Sequence, residues 1–337
     1  MRWAIGAGLG LPLLLIVLFV IFMAALGVFL GGGIPGTDQA VPAIGTAETR
    51  PALWIGSPSI VGSSLPNVLI LGVMAHESGG EVLAQNYNCA GGTTSAQPCE
   101  ESSGATLSED AGLMQLNSGG WPVPQDAAKW RSLGIASDPF DPALNVPAGV
   151  SQLQAEVRRY KYAEYALEAY NSGSGGPGSS DSAYPEAVKS YVETYEQGPT
   201  ISAWSTADWL SGQWEVHRHQ TAWLVVAAAG PYGATFSVPW APGKPVCAMT
   251  YDPATRTTKT SCTRHDVMLP GRALELPTQV TANGQPMLLS PQGAPIWPGE
   301  SAFVLQVQGP GTYRIVATWP GGHRAVASIT ITEERGG

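Results

Sequence analysis

Residues 68–80 of the chain read VLILGVMAHESGG. Residues 68–75 are all apolar or glycine, which predicts a short helix buried on every side, and the final two glycines predict its end. Glu77 is the one carboxylate in this stretch. Burial disfavours the charged form of a carboxyl group, so we expect a raised pKa for Glu77. A raised pKa is what a general acid needs near neutral pH, which makes Glu77 the first candidate catalytic residue.

The bulk composition limits the classes of function. The chain has 337 residues, enough for two domains, with 13% charged residues and a net charge of −9. Binding to nucleic acid needs clustered Lys and Arg to neutralise phosphates, and no basic stripe is present. We therefore set direct binding to nucleic acid aside.

The four cysteines fall into two pairs that are close in sequence, Cys89 with Cys99 and Cys247 with Cys262. We expect each pair to form a local disulfide, since each lies within one predicted domain. Four free thiols are the alternative. A zinc site that combines Cys247, Cys262 and His265 is a further alternative, but its spacing matches no common zinc motif. The prediction therefore includes no metal and no organic cofactor.

Residues 4–30 carry no charge and exceed the roughly 20 apolar residues that a helix needs to cross a bilayer. We predict an uncleaved single-pass transmembrane anchor at residues 1–30. Arg2 precedes this segment and no Lys or Arg follows until Arg50, which puts the N-terminus in the cytoplasm and the remaining chain outside the cell membrane. Cleavage near residues 41–43 is the alternative. Disulfides would agree with an oxidising exterior.

The rest of the chain predicts an α+β protein with a linker and two domains. Residues 31–60 contain many turn formers and are predicted to be a flexible linker. Residues 61–197 are predicted to be mainly helical, as Val150, Leu153 and Val157 recur at helical spacing. Residues 202–337 predict an all-β, immunoglobulin-like sandwich, with one strand over residues 213–229 and a hairpin carrying Cys247 and Cys262.

The segment at residues 108–118, SEDAGLMQLNS, is a second candidate site region. If it is extended, Met114 and Leu116 point to one side and Gln115 and Asn117 to the other. Trp121 follows between glycines and prolines. It is a candidate for stacking on a sugar face, with a core-capping role as the alternative.

Four motifs stand in order along the chain: HESGG at residues 76–80, GLMQLN at 112–117, AYNSG at 169–173, and Tyr191 with Val192. In this order they resemble the soluble lytic transglycosylase-type domain of the lysozyme-like superfamily, over residues 61–197. The resemblance implies a lysozyme-like catalytic domain that acts on the glycan strands of peptidoglycan.

The resemblance also implies roles for individual residues. Glu77 would protonate the β-1,4 glycosidic oxygen between N-acetylmuramic acid and N-acetylglucosamine, and then take a proton from the 6-hydroxyl to close a 1,6-anhydro ring. Tyr191 would hydrogen-bond the Glu77 carboxyl, although a core role is its alternative. The implied substrate-binding positions are Ser78, Gln115, Tyr170 and Asn171, to which the extended segment adds Asn117 and Trp121.

Asp110 departs from the transglycosylase pattern, which usually has a small or neutral residue there. The same segment resembles the strand of animal-type lysozymes that carries a second carboxylate. Two carboxyl groups about 5–5.5 Å apart fit a retaining hydrolase, and a wider pair fits an inverting one. Asp110, or less readily Glu109, is therefore a candidate second catalytic residue, with a loop acid facing solvent as the alternative.

Together these features predict a membrane-anchored, extracytoplasmic lytic transglycosylase. A lysozyme-type muramidase using Asp110 and a non-catalytic cell-wall-binding or scaffold protein are the alternatives. The expected partners are peptidoglycan glycan strands, the membrane, and proteins of a conjugation or secretion apparatus, contacted through the C-terminal domain.

Overall fold

The computed structural model describes residues 40–41, 50–90, 94–95, 97, 99, 106–119, 128–172, 183–205, 208–210, 213–216, 221–252, 257–292, 294 and 296–333. Within these ranges, no helix is both long enough and apolar enough to cross a membrane. The predicted anchor at residues 1–30 lies outside the described residues.

The described helices are α1 (Pro58–Val61), α2 (Asn67–Ser78), α3 (Ala128–Leu133), α4 (Pro142–Arg159), α5 (Ala163–Ser172) and α6 (Ala183–Glu196), with a 3-10 helix at Arg50–Trp54 before them. The strands of the helical region are β2 (Gln85–Cys89), β3 (Thr94–Ser95), β4 (Thr106–Ala111) and β5 (Leu116–Asn117), and β1 (Ala40–Val41) precedes them.

The strands that follow are β6 (Thr200–Ser205), β7 (Asp208–Leu210), β8 (Gln213–Val216), β9 (Thr221–Ala229), β10 (Thr235–Ala241), β11 (Pro245–Asp252), β12 (Thr257–Arg264), β13 (Val267–Arg272), β14 (Gln279–Ala282), β15 (Gln285–Pro286), β16 (Leu288–Leu289), β17 (Phe303–Gln308), β18 (Gly311–Thr318) and β19 (Arg324–Glu333). The mixture of helices and antiparallel sheets confirms the α+β prediction.

Helix α2 is the buried centre of the helical region, as its sequence predicted. Every residue from Val68 to Ala75 is buried. Gly72 allows close approach to α6, because a Cβ there would come within 3.2 Å of the Val188 carbonyl oxygen. Gly79 ends the helix in the left-handed conformation at φ 60°, which a glycine adopts without steric cost. Glu77 is thereby held in the last turn of a helix whose body is fully buried.

The prediction of a flexible linker is wrong for residues 50–60. Trp54 and Ile60 are only 1% and 2% exposed and belong to the main hydrophobic cluster. These residues are ordered because the apolar run PALWI at residues 51–55 packs into the core. Ala40 and Val41 also pair in parallel with β19.

The four-stranded antiparallel sheet of the helical region has the order β3-β2-β4-β5. Its register aligns Asn86 with Asp110 on β2 and β4, and Asp110 with Asn117 on β4 and β5. The disulfide between Cys89 and Cys99 closes one end of this sheet, which confirms the predicted local pair. The sheet therefore brings three polar residues into one row.

Two larger sheets form the C-terminal region. One has the order β15-β14-β18-β19-β8-β7 with β1 added beside β19, and the other has the order β16-β17-β9-β6. The prediction of one strand over residues 213–229 is wrong, because β8 and β9 belong to different sheets. Hairpin β11–β12 pairs Cys247 with Cys262 in register, and the two form a disulfide. The disulfide removes the thiolates that the alternative zinc site would need.

Strand β9 is buried on both of its faces. Leu224, Val226 and Ala228 face the core between the two large sheets, whereas Val225 and Ala227 belong to the cluster of the helical region. This explains why β9 reads as a nearly continuous apolar run instead of an alternating one. The facing sheets agree with a predicted β-sandwich, and its immunoglobulin-like character stays a prediction.

Polar contacts reinforce the junction between the helical and β regions. The Asn67 side chain donates to the Leu274 carbonyl at 2.8 Å and accepts from its N–H at 2.9 Å. Asp266 accepts from the Tyr162 hydroxyl at 2.8 Å and pairs with Lys161 at 2.6 Å. The C-terminal region is thus packed directly against the helical region that carries Glu77.

Candidate active site

A cleft of about 640 Å³ opens beside the end of α2, between the small sheet and helices α4 and α5. Its lining is mostly polar, which suits a hydroxyl-rich ligand better than an apolar one. The described lining residues are His76, Glu77, Asn86, Asn88, Thr94, Ser108, Asp110, Gln115, Leu116, Asn117, Lys129, Gln152, Tyr170, Asn171 and Ser172. The structure therefore brings six predicted residues to one cleft: Glu77, Asp110, Gln115, Asn117, Tyr170 and Asn171.

The Glu77 carboxyl is desolvated although the residue borders the cleft. Burial is the main reason that its pKa rises from 4.5 to about 8, and the negative charge of Asp110 raises the pKa further. A hydrogen bond donated by the Tyr184 hydroxyl acts in the opposite direction and lowers the pKa. At neutral pH most Glu77 side chains carry a proton, so the group is ready to act as a general acid.

The tyrosine that donates to Glu77 is Tyr184, where the sequence prediction named Tyr191 for that role. Burial raises the pKa of the Tyr184 hydroxyl well above its usual range, so the hydroxyl remains a donor. Tyr191 instead lies beside His76, with ring centroids 6.4 Å apart. The two tyrosines are seven residues apart on α6 and share one face of the helix, and Tyr184 is the one level with Glu77.

Asp110 lies on the sheet side of the cleft, held by two side-chain amides. Asn88 Nδ2 donates to Oδ2 at 2.9 Å and Asn117 Nδ2 donates to Oδ1 at 2.7 Å. Asn117 also accepts from the Gly119 N–H at 2.8 Å. Asp110 is therefore a hydrogen-bonded residue of β4 in the cleft wall, and its negative charge acts on Glu77; its role as a second catalytic residue stays a prediction.

Gln115 shapes the turn between β4 and β5. It has a φ of 44°, which is unusual for a residue with a side chain. Its Nε2 donates to the Ala84 and Gly112 carbonyls at 2.9 and 2.8 Å, and its Oε1 accepts from Asn86 at 2.8 Å. Because these bonds use the amide internally, Gln115 positions the cleft wall.

Asn145 is a key residue that the sequence analysis missed. It is fully buried, accepts from the Met114 N–H at 2.9 Å, and donates to the Ala111 and Pro139 carbonyls, each at 2.9 Å. A Cβ on Gly112 would lie 2.5 Å from the Asn145 amide nitrogen. The signal in the sequence was a polar residue on the apolar face of α4, next to Val146.

The hydroxyl groups of Ser78 and Tyr170 hydrogen-bond to the backbone of the turn between β4 and β5. The Ser78 hydroxyl donates at 2.8 Å to the Leu113 carbonyl and is near the Met74 carbonyl at 3.1 Å, so it links α2 to the turn and is not among the described lining residues. The buried Tyr170 hydroxyl donates to the Met114 carbonyl at 2.8 Å. Both residues therefore serve the predicted site mainly by positioning it.

Three residues remain: Asn171 and Trp121, which were predicted as site residues, and His76, which was not. Asn171 lines the cleft at the end of α5, and its contact with a saccharide stays a prediction. Trp121 lies outside the described residues. His76 was not predicted, but it lines the cleft and packs edge-to-face on Tyr184 with ring centroids 4.8 Å apart. In the part of the chain that the structure describes, no group of three His, Cys, Asp or Glu residues is arranged to hold a metal ion.

Comparison with known families agrees with this geometry. Residues 61–189 match the Transglycosylase SLT domain family. No curated protein and no solved structure matches the chain. Members of this domain family are lytic transglycosylases that act on glycosidic bonds of peptidoglycan, so the match supports an enzyme of the lyase or muramidase type. The match spans α2, the small sheet, helices α3 to α5 and the first part of α6, which together form the cleft and carry Tyr184.

Proposed function

We propose that the chain is a peptidoglycan lytic transglycosylase that cleaves the β-1,4 bond between N-acetylmuramic acid and N-acetylglucosamine. The observation that carries the proposal is the Glu77 carboxyl, whose pKa of about 8 keeps it protonated in a polar cleft. The match of residues 61–189 to the SLT domain supports the choice of substrate. The polar lining also suits a sugar chain with many hydroxyl groups.

Glu77 supplies both proton transfers in the proposed reaction. Its carboxylic acid first protonates the glycosidic oxygen, and the bond to the muramyl C1 breaks. The resulting carboxylate then takes the proton of the muramyl 6-hydroxyl, whose oxygen bonds to C1 and closes the 1,6-anhydro ring. The Tyr184 hydrogen bond supports this cycle, because it stabilises the carboxylate between the two steps.

Product analysis tests this proposal directly. Purified sacculi are incubated with the full chain, and the released muropeptides are analysed by mass spectrometry. Anhydromuramyl ends are the expected product. Reducing muramic acid ends would replace the transglycosylase proposal with the hydrolase, and no release of muropeptides by a folded chain would favour the non-catalytic scaffold.

A muramidase is the second candidate because Asp110 shares the cleft with Glu77. In this reaction Asp110 would act as nucleophile, or as base for a water molecule, while Glu77 donates the proton. The two amides that hold Asp110 would keep its oxygens directed for either role. Water labelled with oxygen-18 separates the two chemistries, since only hydrolysis places the label on the muramic acid product.

The cellular setting is also a proposal. Support comes from the uncharged residues 4–30 and the position of Arg2, which fit a single-pass anchor with the catalytic region outside the membrane. Fractionation of cells expressing the chain, with and without residues 1–30, tests this arrangement. A role in local opening of the wall for a conjugation or secretion apparatus is tested by deleting the gene, and unchanged transfer and secretion would contradict it.

A further inference from the structure

Lys129 places a positive charge in the wall of the cleft. It lines the cleft just after β5, and in the part of the chain that the structure describes no carboxylate lies within ion-pair distance of its ammonium group. The two other lysines of residues 61–197, Lys161 and Lys189, each pair with a carboxylate, at 2.6 and 3.5 Å. Lys129 differs from both because it borders a ligand cleft and its charge is available to a ligand.

The backbone of Lys129 is held against the end of β5. Its N–H donates to the Ser118 carbonyl at 3.0 Å, and the indole Nε1 of buried Trp130 donates to the Leu116 carbonyl at 2.6 Å. Gly119 makes room for the lysine side chain, because a Cβ there would lie 2.5 Å from the Lys129 Cβ and 3.5 Å from its Cδ. The aliphatic stem of Lys129 therefore lies over Gly119, and its charged end borders the cleft.

Neither acid among the described cleft residues forms an ion pair with Lys129. Both oxygens of Asp110 accept from side-chain amides, at 2.9 Å from Asn88 and at 2.7 Å from Asn117. Glu77 is mostly protonated at neutral pH, since its pKa is about 8. A carboxylate brought by a ligand would therefore find a cation in the cleft that no described acid has paired, and it would gain a charge-assisted hydrogen bond there.

We propose that Lys129 is a specificity-determining residue that binds a carboxylate on the lactyl substituent of N-acetylmuramic acid. This inference rests on the proposed function. The lactyl group distinguishes muramic acid from N-acetylglucosamine, and its carboxyl is either free or extended by a peptide stem with carboxylates of its own. A lysine ammonium offers three donors and a full charge on a flexible stem, which suits a carboxylate at either place. The contact would favour peptidoglycan over an uncharged polymer of N-acetylglucosamine.

Binding measurements with three ligands that differ in charge test the role of Lys129. The full chain carrying Glu77→Gln, which prevents turnover, is titrated with a tetrasaccharide of alternating N-acetylglucosamine and N-acetylmuramic acid that has free lactyl carboxylates. The second ligand is the same tetrasaccharide with these carboxylates converted to methylamides, and the third carries L-alanyl-D-glutamate stems. We expect Lys129→Met to weaken binding of a carboxylate-bearing ligand about fivefold, the upper range for an ion pair in contact with water. Binding of the methylamide should not change.

Three controls separate the charge of Lys129 from its packing. Methionine keeps an aliphatic stem over Gly119, so the melting temperature of Lys129→Met should match that of the parent. Lys129→Arg, which keeps the charge, should retain the affinity for the charged ligands. Lys161→Met removes the same charge at a position that is not among the described cleft residues, and it should change none of the affinities. Salt at about 0.5 M should reduce the effect of Lys129→Met, because it screens the ion pair.

The outcomes identify the carboxylate and separate this inference from the proposed function. A loss of affinity for the tetrasaccharide with free lactyl groups assigns the contact to the lactyl carboxylate, and a loss only for the stem-bearing form assigns it to the peptide. Unchanged affinities for both charged ligands would overturn the inference, as would an equal loss for the methylamide or a parent chain that binds none of the three. Failure of the wild type to release any muropeptide would instead remove the proposed function, whatever the affinities.

Discussion

The two sides of the cleft each present one carboxyl group, and they hold it by different means. On the helix side, Glu77 ends a fully buried apolar helix, and its pKa rises to about 8. On the sheet side, Asp110 receives two amide hydrogen bonds within a row of polar residues. The helix side thus controls protonation through desolvation, whereas the sheet side controls position through hydrogen bonds.

This difference indicates which interactions each side depends on. The helix side is stabilised by apolar packing around α2, so its geometry depends on side-chain volume. The sheet side depends on a few amides, above all Asn145, Gln115 and Asn117, each with at least two internal hydrogen bonds. Substitutions on the helix side should therefore mainly change the protonation of Glu77, and those on the sheet side should mainly change the position of the cleft residues.

The largest effect on activity is expected from Glu77→Gln, because the glutamine amide cannot replace the acidic proton of the Glu77 carboxyl. Muropeptide release should fall by about 10²–10⁴-fold, the usual contribution of a general acid. The fold should survive, because glutamine has the shape of the neutral acid. Activity measured on sacculi and circular dichroism of the same samples check both statements. A variant that retains more than half of the activity would contradict the role of Glu77.

The same variant gives a signed prediction for stability. The folded-state pKa of Glu77 lies above the unfolded value of 4.5, so ionisation destabilises the folded chain as pH rises from about 4.5 to about 8. Glu77→Gln should leave the free energy of unfolding unchanged at pH 4 and raise it by roughly 2–4 kcal/mol at pH 9. Urea denaturation at both pH values measures this, with the exposed Glu333→Gln as a control that should shift neither.

The second largest effect is expected from a substitution on the sheet side, Asn145→Ala, and it concerns the free energy of unfolding. Asn145→Ala leaves the Met114 N–H and the Ala111 and Pro139 carbonyls without their buried partner, which should lower the free energy of unfolding by about 3 kcal/mol. Gln154→Ala, on the same helix, should cost less than about 1 kcal/mol because its bond is only partly buried. Equal losses in urea denaturation would argue against Asn145 as the residue that fixes the turn.

Helix α2 could be predicted because its signals are local. The apolar run, the following glycines and Glu77 lie within residues 68–80, and each acts through neighbours in sequence or simple burial. The cysteine pairs were predictable for the same reason, since each closes a short loop or hairpin. Local signals were therefore sufficient for the acid and for both disulfides.

Other features depend on how distant elements pack. Helical periodicity puts Tyr184 and Tyr191 on one face of α6, but only the crossing of α6 with α2 decides which one meets Glu77. The apolar run of β9 indicates two buried faces without naming the partner of each face. The run PALWI at residues 51–55 joins the core for an equally non-local reason.

A smaller effect is expected from Tyr184→Phe, which changes the helix side without removing its acid. The Tyr184 hydrogen bond lowers the pKa of Glu77, so its loss should raise that pKa. The alkaline limb of the pH–rate profile, where Glu77 loses its proton, should move to higher pH. Activity at pH 7 should fall about tenfold, because the carboxylate formed after proton transfer loses one hydrogen bond. A limb that moves to lower pH would contradict this assignment.

The smallest effect on activity is expected from Asp110→Asn. This substitution should shift the pKa of Glu77 in the direction opposite to the shift caused by Tyr184→Phe. The charge of Asp110 raises the pKa of Glu77, so the substitution should move the alkaline limb to lower pH. In a transglycosylase, Glu77 performs both proton transfers, and activity at pH 6 should fall less than about tenfold. Asp110→Asn also disturbs the Asn88 and Asn117 contacts, so Asn88→Ala serves as a control for position alone. A loss of 10²-fold or more with Asp110→Asn, but not with Asn88→Ala, would make Asp110 a second catalytic carboxylate and favour the muramidase.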